Sequence, residues 1–265
     1  MAAFGWDPQQ YGRYSDHRSR PFFELIGRID ITKPAQIIDL GCGSGELTRA
    51  LAHRWPDAKV TGIDSSAAML AAADQHAIVD RLSFSHGDLA DFTPGSRFDV
   101  VVSNAAYQWV DNHQPMLTKI ASDLPPGGWL AIQVPGNFDA PSHRTIRALV
   151  AQPRWQAATG NLQLRADPVL DAAGYGDLFA AAGLEVDTWE TTYNQVLSGA
   201  DPVLEWVKGT AVRPVLDRLD PAQQLDFLDE LGSDLRLAYP PQPYGTVFGF
   251  RRFFAVGHRL DPRSR

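Results

Sequence analysis

The sequence predicts a doubly wound α/β fold: a mostly parallel sheet of seven strands with helices on both faces and helical cap insertions. Three observations carry this. Short β-branched runs alternate with helix-patterned segments through five strands, which implies right-handed crossovers in a parallel sheet. A glycine-rich turn follows the first of these runs at the point where the chain enters a helix. Beyond residue 136 the alternation breaks into polar and helical stretches before two last strand-like runs.

Ile37 to Leu40 is an apolar run interrupted by Asp39, and Gly41, Gly43 and Gly45 follow at alternate positions with Cys42 between the first two. Leu47, Ala50 and Leu51 then recur at helical spacing from Glu46 to Trp55, so backbone amides of the turn can face a ligand. The dinucleotide fingerprint needs a small residue where this chain has Glu46, and no Gly-Lys-Ser or Gly-Lys-Thr is present, so phosphate is a poor ligand for the loop. Asp39 repels pyrophosphate but suits an ammonium or sulfonium group. The pattern of Asp39, Gly41, Gly43 and Gly45 resembles the first motif of the S-adenosylmethionine-dependent methyltransferases with a Rossmann-like fold. That resemblance implies S-adenosylmethionine as cofactor, with Cys42 also in the binding turn.

Ahead of this strand, Tyr11, Tyr14 and Arg18 share one face if Trp6 to Arg20 is helical, which suits a lid over residues 1–29. Arg18 and Arg20 read as solvated charge or, because they precede the cofactor strand, as cofactor contacts; Arg18 is the candidate. Pro21 is expected to open a helix with Phe22, Leu25, Ile26 and Ile29 inward, ended by Lys33-Pro34.

Lys59 to Asp64 reads as the second strand, and Ser65 or Ser66 caps the next helix. Asp64 lies about twenty residues beyond the glycine turn, where an acid accepts from ribose hydroxyls. A third strand, Leu82 to Ser85, leads into Gly87-Asp88-Leu89; in the family resembled, the acid matching Asp88 meets the adenine amino group, with Leu89 beside it. Phe98 to Ser103 reads as a central strand whose end carries Asn104, Gln108 and Trp109, candidates to shape the transfer site, although Trp109 equally suits simple packing. A helix from Gln114 to Leu124, the Pro125 to Gly128 turn and a fifth strand from Trp129 to Val134 follow.

Residues 137–170 and 195–245 read as a helical cap on a single domain whose core is about 30–136 with 171–194 and 246–258. Asp171 to Ala182 is a helix, Leu184 to Tyr193 a strand, and Asp220-Pro221 starts a helix with Leu228, Leu231 and Leu235 inward. The last strand, Thr246 to Val256, is apolar on both faces yet carries Arg251 and Arg252. Each arginine then needs a structural carboxylate, an anionic ligand or an escape to solvent. With His143, Arg147 and Arg213 in the cap, they can make a local anion pocket suited to carboxylates.

Composition excludes several classes. The 265 residues are 44% hydrophobic and 21% charged, ordinary for a globular chain. The net charge of −7 speaks against nucleic acid and anionic membranes as partners. No apolar run reaches membrane-spanning length, and Met1 to Asp16 lacks the form of a secretory signal. A single cysteine excludes an intrachain disulfide and fits a reducing, cytoplasmic setting. The seven histidines show no metal-ligand spacing, so no metal is expected. Oligomeric state is not legible.

Trp6-Asp7-Pro8 with Tyr11, Arg18 to Pro21, Asn104 with Gln108-Trp109, Pro141-Ser142-His143, Trp189 to Tyr193 and Phe250 to Phe254 together resemble the trans-aconitate 2-methyltransferases as a family. The resemblance implies methyl transfer to one carboxylate of a small tricarboxylate. The acceptor contacts inferred beside it are Tyr11, Gln108, Trp109, His143, Tyr193 and Arg252. A carboxylic acid with a pKa near 4 is ionised roughly a thousand to one at neutral pH, so no catalytic acid or base is assigned. Methylation of another small acid or a malonyl thioester, and a non-catalytic S-adenosylmethionine-binding module, are the alternatives.

Overall fold

The computed structural model describes residues 15–93 and 97–262, with side chains from Ser19 onward. Seven strands form one sheet in the order β3-β2-β1-β4-β5-β7-β6. They are β1 (Gln36–Leu40), β2 (Lys59–Asp64), β3 (Leu82–His86), β4 (Val100–Asn104), β5 (Trp129–Pro135), β6 (Glu185–Leu197) and β7 (Thr246–His258). The first five run parallel, and β7 lies antiparallel against β5, with Pro135 opposite Arg252 and Trp129 opposite His258. Glu185 lies beside His258, Trp189 stacks on Phe254 and Leu197 approaches Gly245, so β6 returns antiparallel to β7.

The chain divides into two compact units. The first holds the described residues up to Pro135, Val169–Glu190 and the chain from Arg252 on; the second holds Gly136–Pro168 and Thr191–Arg251. Strands β6 and β7 each contribute to both units.

In the first unit α1 (Ser15–Ile26) runs through Pro21. The sequence expects Pro21 to open a helix, but here it sits inside one. A proline forfeits a backbone bond one turn back, and burial of Phe22, Leu25 and Ile26 offsets that loss. Helices α2 (Glu46–Arg54), α3 (Ala67–Ala73), α4 (Gln114–Asp123) and α7 (Ala172–Ala181) connect the strands. The core on one side of the sheet packs Ile38, Leu40, Val101, Leu130 and Ile132 against Tyr175 and Phe179.

Strand β4 starts at Val100 rather than at Phe98. Asp99 is diverted: its Oδ2 accepts from the amides of Ala35 and Gln36 at 2.6 and 2.9 Å and so fixes the entry to β1. Strand β6 continues to Leu197, beyond the expected end at Tyr193, because its side chains alternate between buried and exposed up to that point.

The second unit contains α5 (Pro141–Val150), α6 (Pro153–Ala158), α8 (Pro202–Lys208), α9 (Arg213–Leu216) and α10 (Pro221–Ala238). Helix α6 was not legible in a passage that reads as polar and basic; Pro153 opens it and buried Trp155 anchors it. Trp155 meets Phe227 edge-on and donates from Nε1 to Glu230 Oε2 at 3.1 Å. Asp220 and Gln223 close a capping box at the start of α10, and Phe227, Leu231 and Leu235 form its buried stripe, with Leu228 at the margin. Among the described residues no helix is long and apolar enough to cross a membrane.

Candidate active site

The glycine turn leaves β1 with Gly41, Gly43 and Gly45 all at positive φ. Gly41 has no room for a side chain, since a Cβ there would stand 2.3 Å from that of Ala106. Gly43 is the opposite case: among the described residues a Cβ would meet nothing within 4 Å. The amides of Gly41 and Cys42 both donate to Ile63 O, which locks the turn to β2.

Asp64 closes the far side of this turn. Its Oδ2 accepts from Gly43 N at 2.8 Å and its Oδ1 from Ser66 N at 2.8 Å. Each carboxylate oxygen retains a second lone pair that a ligand hydroxyl can use. Of the two serines, Ser66 is the helix cap, its Oγ accepting from Met69 N, while the carbonyl of Ser65 lies 3.1 Å from His86 Nε2. Asp88 caps the short turn Leu89–Asp91 by accepting from Ala90 N at 2.9 Å, and Leu89 is buried.

Asp39 lies beneath the turn rather than open at its mouth. It is 3% exposed and its Oδ2 accepts from Thr48 Oγ1 at 2.6 Å. Burial raises its pKa to about 7, the Thr48 bond opposes that rise and the nearby Asp64 adds to it. Cys42 is buried too, and burial with the two carboxylates pushes its thiol well above the ordinary range, so it is no nucleophile.

At the end of β4, Asn104 leads into Ala105, which adopts a positive φ of 56°. The turn then carries Tyr107, fully buried, and Trp109, 45% exposed. Gln108 Nε2 donates to Ala105 O at 2.6 Å. Asn104 Oδ1 and Gln108 Oε1 are buried and have no hydrogen-bond partner among the described residues.

The two arginines of β7 have different fates. Arg251, in the second unit, donates from Nη2 to Asp139 Oδ1 at 2.8 Å and from Nε to Gly136 O at 2.7 Å, a structural pairing. Arg252, in the first, is 4% exposed and donates from Nη1 to Gln133 Oε1 at 2.9 Å. One of its partners is thus a neutral amide.

His143 and Tyr193 belong to the second unit. His143 faces Phe138 edge-on, with its Nδ1 3.3 Å from Asn137 Nδ2. Burial, with Arg147 nearby, lowers its pKa to about 4, so at neutral pH it is a neutral hydrogen-bonding group and adds no charge to an anion pocket. Arg147 donates to Phe138 O at 2.7 Å, and Tyr193 is buried in β6. Tyr11 and the side chain of Arg18, both expected at the site, lie outside the described residues.

Two residues that the sequence does not single out touch these candidates: Thr48 bonds to Asp39, and Gln133 to Arg252. Gln133 had a signal, since it is the one strongly polar residue between Leu130 and Val134. Asp39, Asp64 and Asp88 supply carboxyl groups, the turn is backbone-lined, and a buried acceptor without a partner among the described residues stands at Asn104. This donor set fits a cationic cofactor with hydroxyl and amino groups better than a phosphate.

A family model described as a methyltransferase domain matches residues 37–128. The chain is 49% identical over 253 residues to a trans-aconitate 2-methyltransferase of Rhodococcus jostii, spanning 95% of this chain and 98% of that one. It is 47% identical to the enzyme of the same name from Streptomyces avermitilis (96% and 97% covered) and 44% identical to that of Mycobacterium tuberculosis (95% of each). Among solved structures, the YcgJ protein of Bacillus subtilis superposes with a TM-score of 0.57 at 13% identity, covering 91% of this chain and 99% of that one. The [4+2]-cyclase SpnF superposes with a TM-score of 0.56 at 18% identity, covering 98% and 89%. Likeness at that level concerns the fold alone, and a cyclase on the same fold shows why activity is read from sites. The near full-length identity to the curated relatives is decisive: the chain belongs to the trans-aconitate 2-methyltransferase family.

Proposed function

We propose that the protein transfers a methyl group from S-adenosylmethionine to one carboxylate of trans-aconitate, giving the monomethyl ester and S-adenosylhomocysteine. The observation that carries this reading is the reach of the similarity. Relatives bearing that name match across both units, whereas a match confined to the glycine turn and its neighbouring strands would speak only for the donor.

S-adenosylmethionine supplies an electrophilic methyl on a sulfonium centre. The acceptor oxygen forms the new C–O bond, the S–C pair returns to sulfur, and sulfonium and carboxylate charges vanish together. No proton moves, so no acid or base is assigned. The chain's work is binding and orientation, which supplies on the order of 7–11 kcal/mol of barrier reduction. We assign cofactor binding to the first unit: Gly41, Cys42, Gly43 and Gly45 supply backbone, Asp39, Asp64 and Asp88 supply carboxylates, and Ser65, Leu89 and Asn104 border them. For the acceptor, Gln108, Trp109 and Arg252 are assigned in that same unit. We place the reaction in the cytoplasm, with a small-molecule acceptor and no nucleic-acid partner.

The test is incubation with methyl-labelled S-adenosylmethionine and trans-aconitate, beside a panel of di- and tricarboxylic acids and malonyl thioesters. The expected product loses its label in mild alkali, as an ester does. A base-stable label, or turnover of a thioester in preference to every free acid, rejects the reading.

A further inference from the structure

His86 ends β3 and sits in register with Asp64, the last residue of β2. Strand β3 lies at the edge of the sheet, so β2 is the one strand that pairs with it. Two bonds extend that pairing past the strand ends. Gly87 N donates to Asp64 O at 3.1 Å, and His86 Nε2 lies 3.1 Å from Ser65 O. A carbonyl only accepts, so this ring nitrogen carries a proton and donates. The approach is close, since a Cβ on Gly87 would stand 2.8 Å from Ile63 Cγ2.

The carbonyl that His86 holds belongs to the peptide unit joining Ser65 to Ser66. The other end of that unit is Ser66 N, which donates to Asp64 Oδ1 at 2.8 Å. A peptide unit is planar, so fixing its carbonyl fixes the direction of its N–H. Imidazole, peptide and carboxylate thus form one chain of hydrogen bonds, each polarising the next. The second oxygen of Asp64 accepts from Gly43 N in the glycine turn, so the carboxylate is aimed from both sides. His86 and Ser65 are both exposed, and a bond made in water adds little to stability. What it sets is direction.

We propose that His86 is a positioning residue for the cofactor: donation from Nε2 to Ser65 O holds the Ser65–Ser66 peptide, and that peptide aims the Asp64 carboxylate at ribose hydroxyls. Binding groups keep a productive geometry when a second layer of hydrogen bonds locks them, and His86 supplies that layer from a neighbouring strand. The inference rests on the donor half of the proposed function and holds whichever acid is methylated.

The experiment compares wild type, His86→Phe and His86→Gln by calorimetric titration with S-adenosylhomocysteine and with its analogue lacking both ribose hydroxyls. His86→Phe keeps a flat ring and removes the donor; His86→Gln offers an amide donor at a similar reach. The phenylalanine variant should raise the Kd of S-adenosylhomocysteine roughly three- to tenfold, and the glutamine variant should restore it to within about twofold of wild type. The analogue without hydroxyls should bind wild type and the phenylalanine variant alike, and thermal melts should stay near wild type. An unchanged Kd in the phenylalanine variant, an equal loss for both ligands, or no rescue by glutamine overturns the inference. Wild type that binds S-adenosylhomocysteine but esterifies no acid rejects the proposed function and leaves this inference standing. Wild type that binds neither S-adenosylmethionine nor S-adenosylhomocysteine overturns both.

Discussion

Thr48 Oγ1 donates to Asp39 Oδ2 across 2.6 Å in the interior beneath the glycine turn, joining the first turn of α2 to the end of β1. Both residues are buried. The bond orients a carboxylate that burial alone would leave costly. Thr48→Val keeps the shape and removes the donor, so it should destabilise the protein by about 1–3 kcal/mol. Chemical denaturation checks this, and calorimetry should show weaker S-adenosylmethionine binding in the same variant.

Asp39 should also tie stability to pH. Its pKa is raised from 3.8 to about 7, so the native state holds a proton that the unfolded chain has released. Its contribution is full below about pH 4 and is lost as pH rises towards 7. His143 acts in the reverse sense: its pKa falls from 6.5 to about 4, so its contribution is lost as pH drops through that window. The two slopes oppose each other in the wild type. Asp39→Asn should leave the rising slope exposed between pH 4 and 6.5, seen in denaturation midpoints across that range.

Cofactor binding should release a proton near pH 6. A cationic ligand above the turn favours ionised Asp39, so the titration heat should vary with the ionisation enthalpy of the buffer. Asp39→Asn should abolish that dependence.

The glycines of the turn should separate folding from binding. Gly41→Ala drives a Cβ into Ala106 at positive φ and should cost stability, by a few kcal/mol. Gly43→Ala meets nothing among the described residues, so it should cost only about 1 kcal/mol of backbone strain while its methyl intrudes where the cofactor approaches. A thermal melt near wild type with a cofactor Kd raised tenfold or more is the expected pair of readings.

Arg252→Lys keeps a charge but loses the planar fork. It should raise the acceptor KM with little effect on S-adenosylmethionine affinity. Steady-state kinetics with trans-aconitate varied at saturating cofactor checks it.

The sheet was legible because strands buried on both faces are written as unbroken apolar runs, as from Val100 to Val102, and because alternating glycines mark the turn at the end of β1, where the backbone takes positive φ. The place of Asp64 beside the turn was legible through its spacing, although its bonds were not: one reaches the amide of Gly43 in the turn after the preceding strand, the other closes a local turn on the amide of Ser66. Pro21 misled because a local rule about helix starts yields to burial of the residues after it. Asp39 read as standing at the mouth of the loop because sequence carries no depth, and Thr48 and Gln133 were missed because each acts through a partner on another element, nine residues away for Thr48 and far along the chain for Gln133. Residues 137–170 concealed α6, whose six residues are too few for a periodic signal.

Strands β6 and β7 pass from one unit into the other at Glu190 and Arg252, and they lie side by side in the sheet. Everything from Thr191 to Arg251 is therefore one continuous stretch joining two neighbouring strands, and Gly136–Pro168 is a second stretch that follows β5 in the chain. The pairing of β7 with β5, from Arg252 to His258, lies wholly outside that stretch. Material can thus be added, exchanged or trimmed there over evolutionary time, or at the bench, without rewriting the order of the strands that carry the donor.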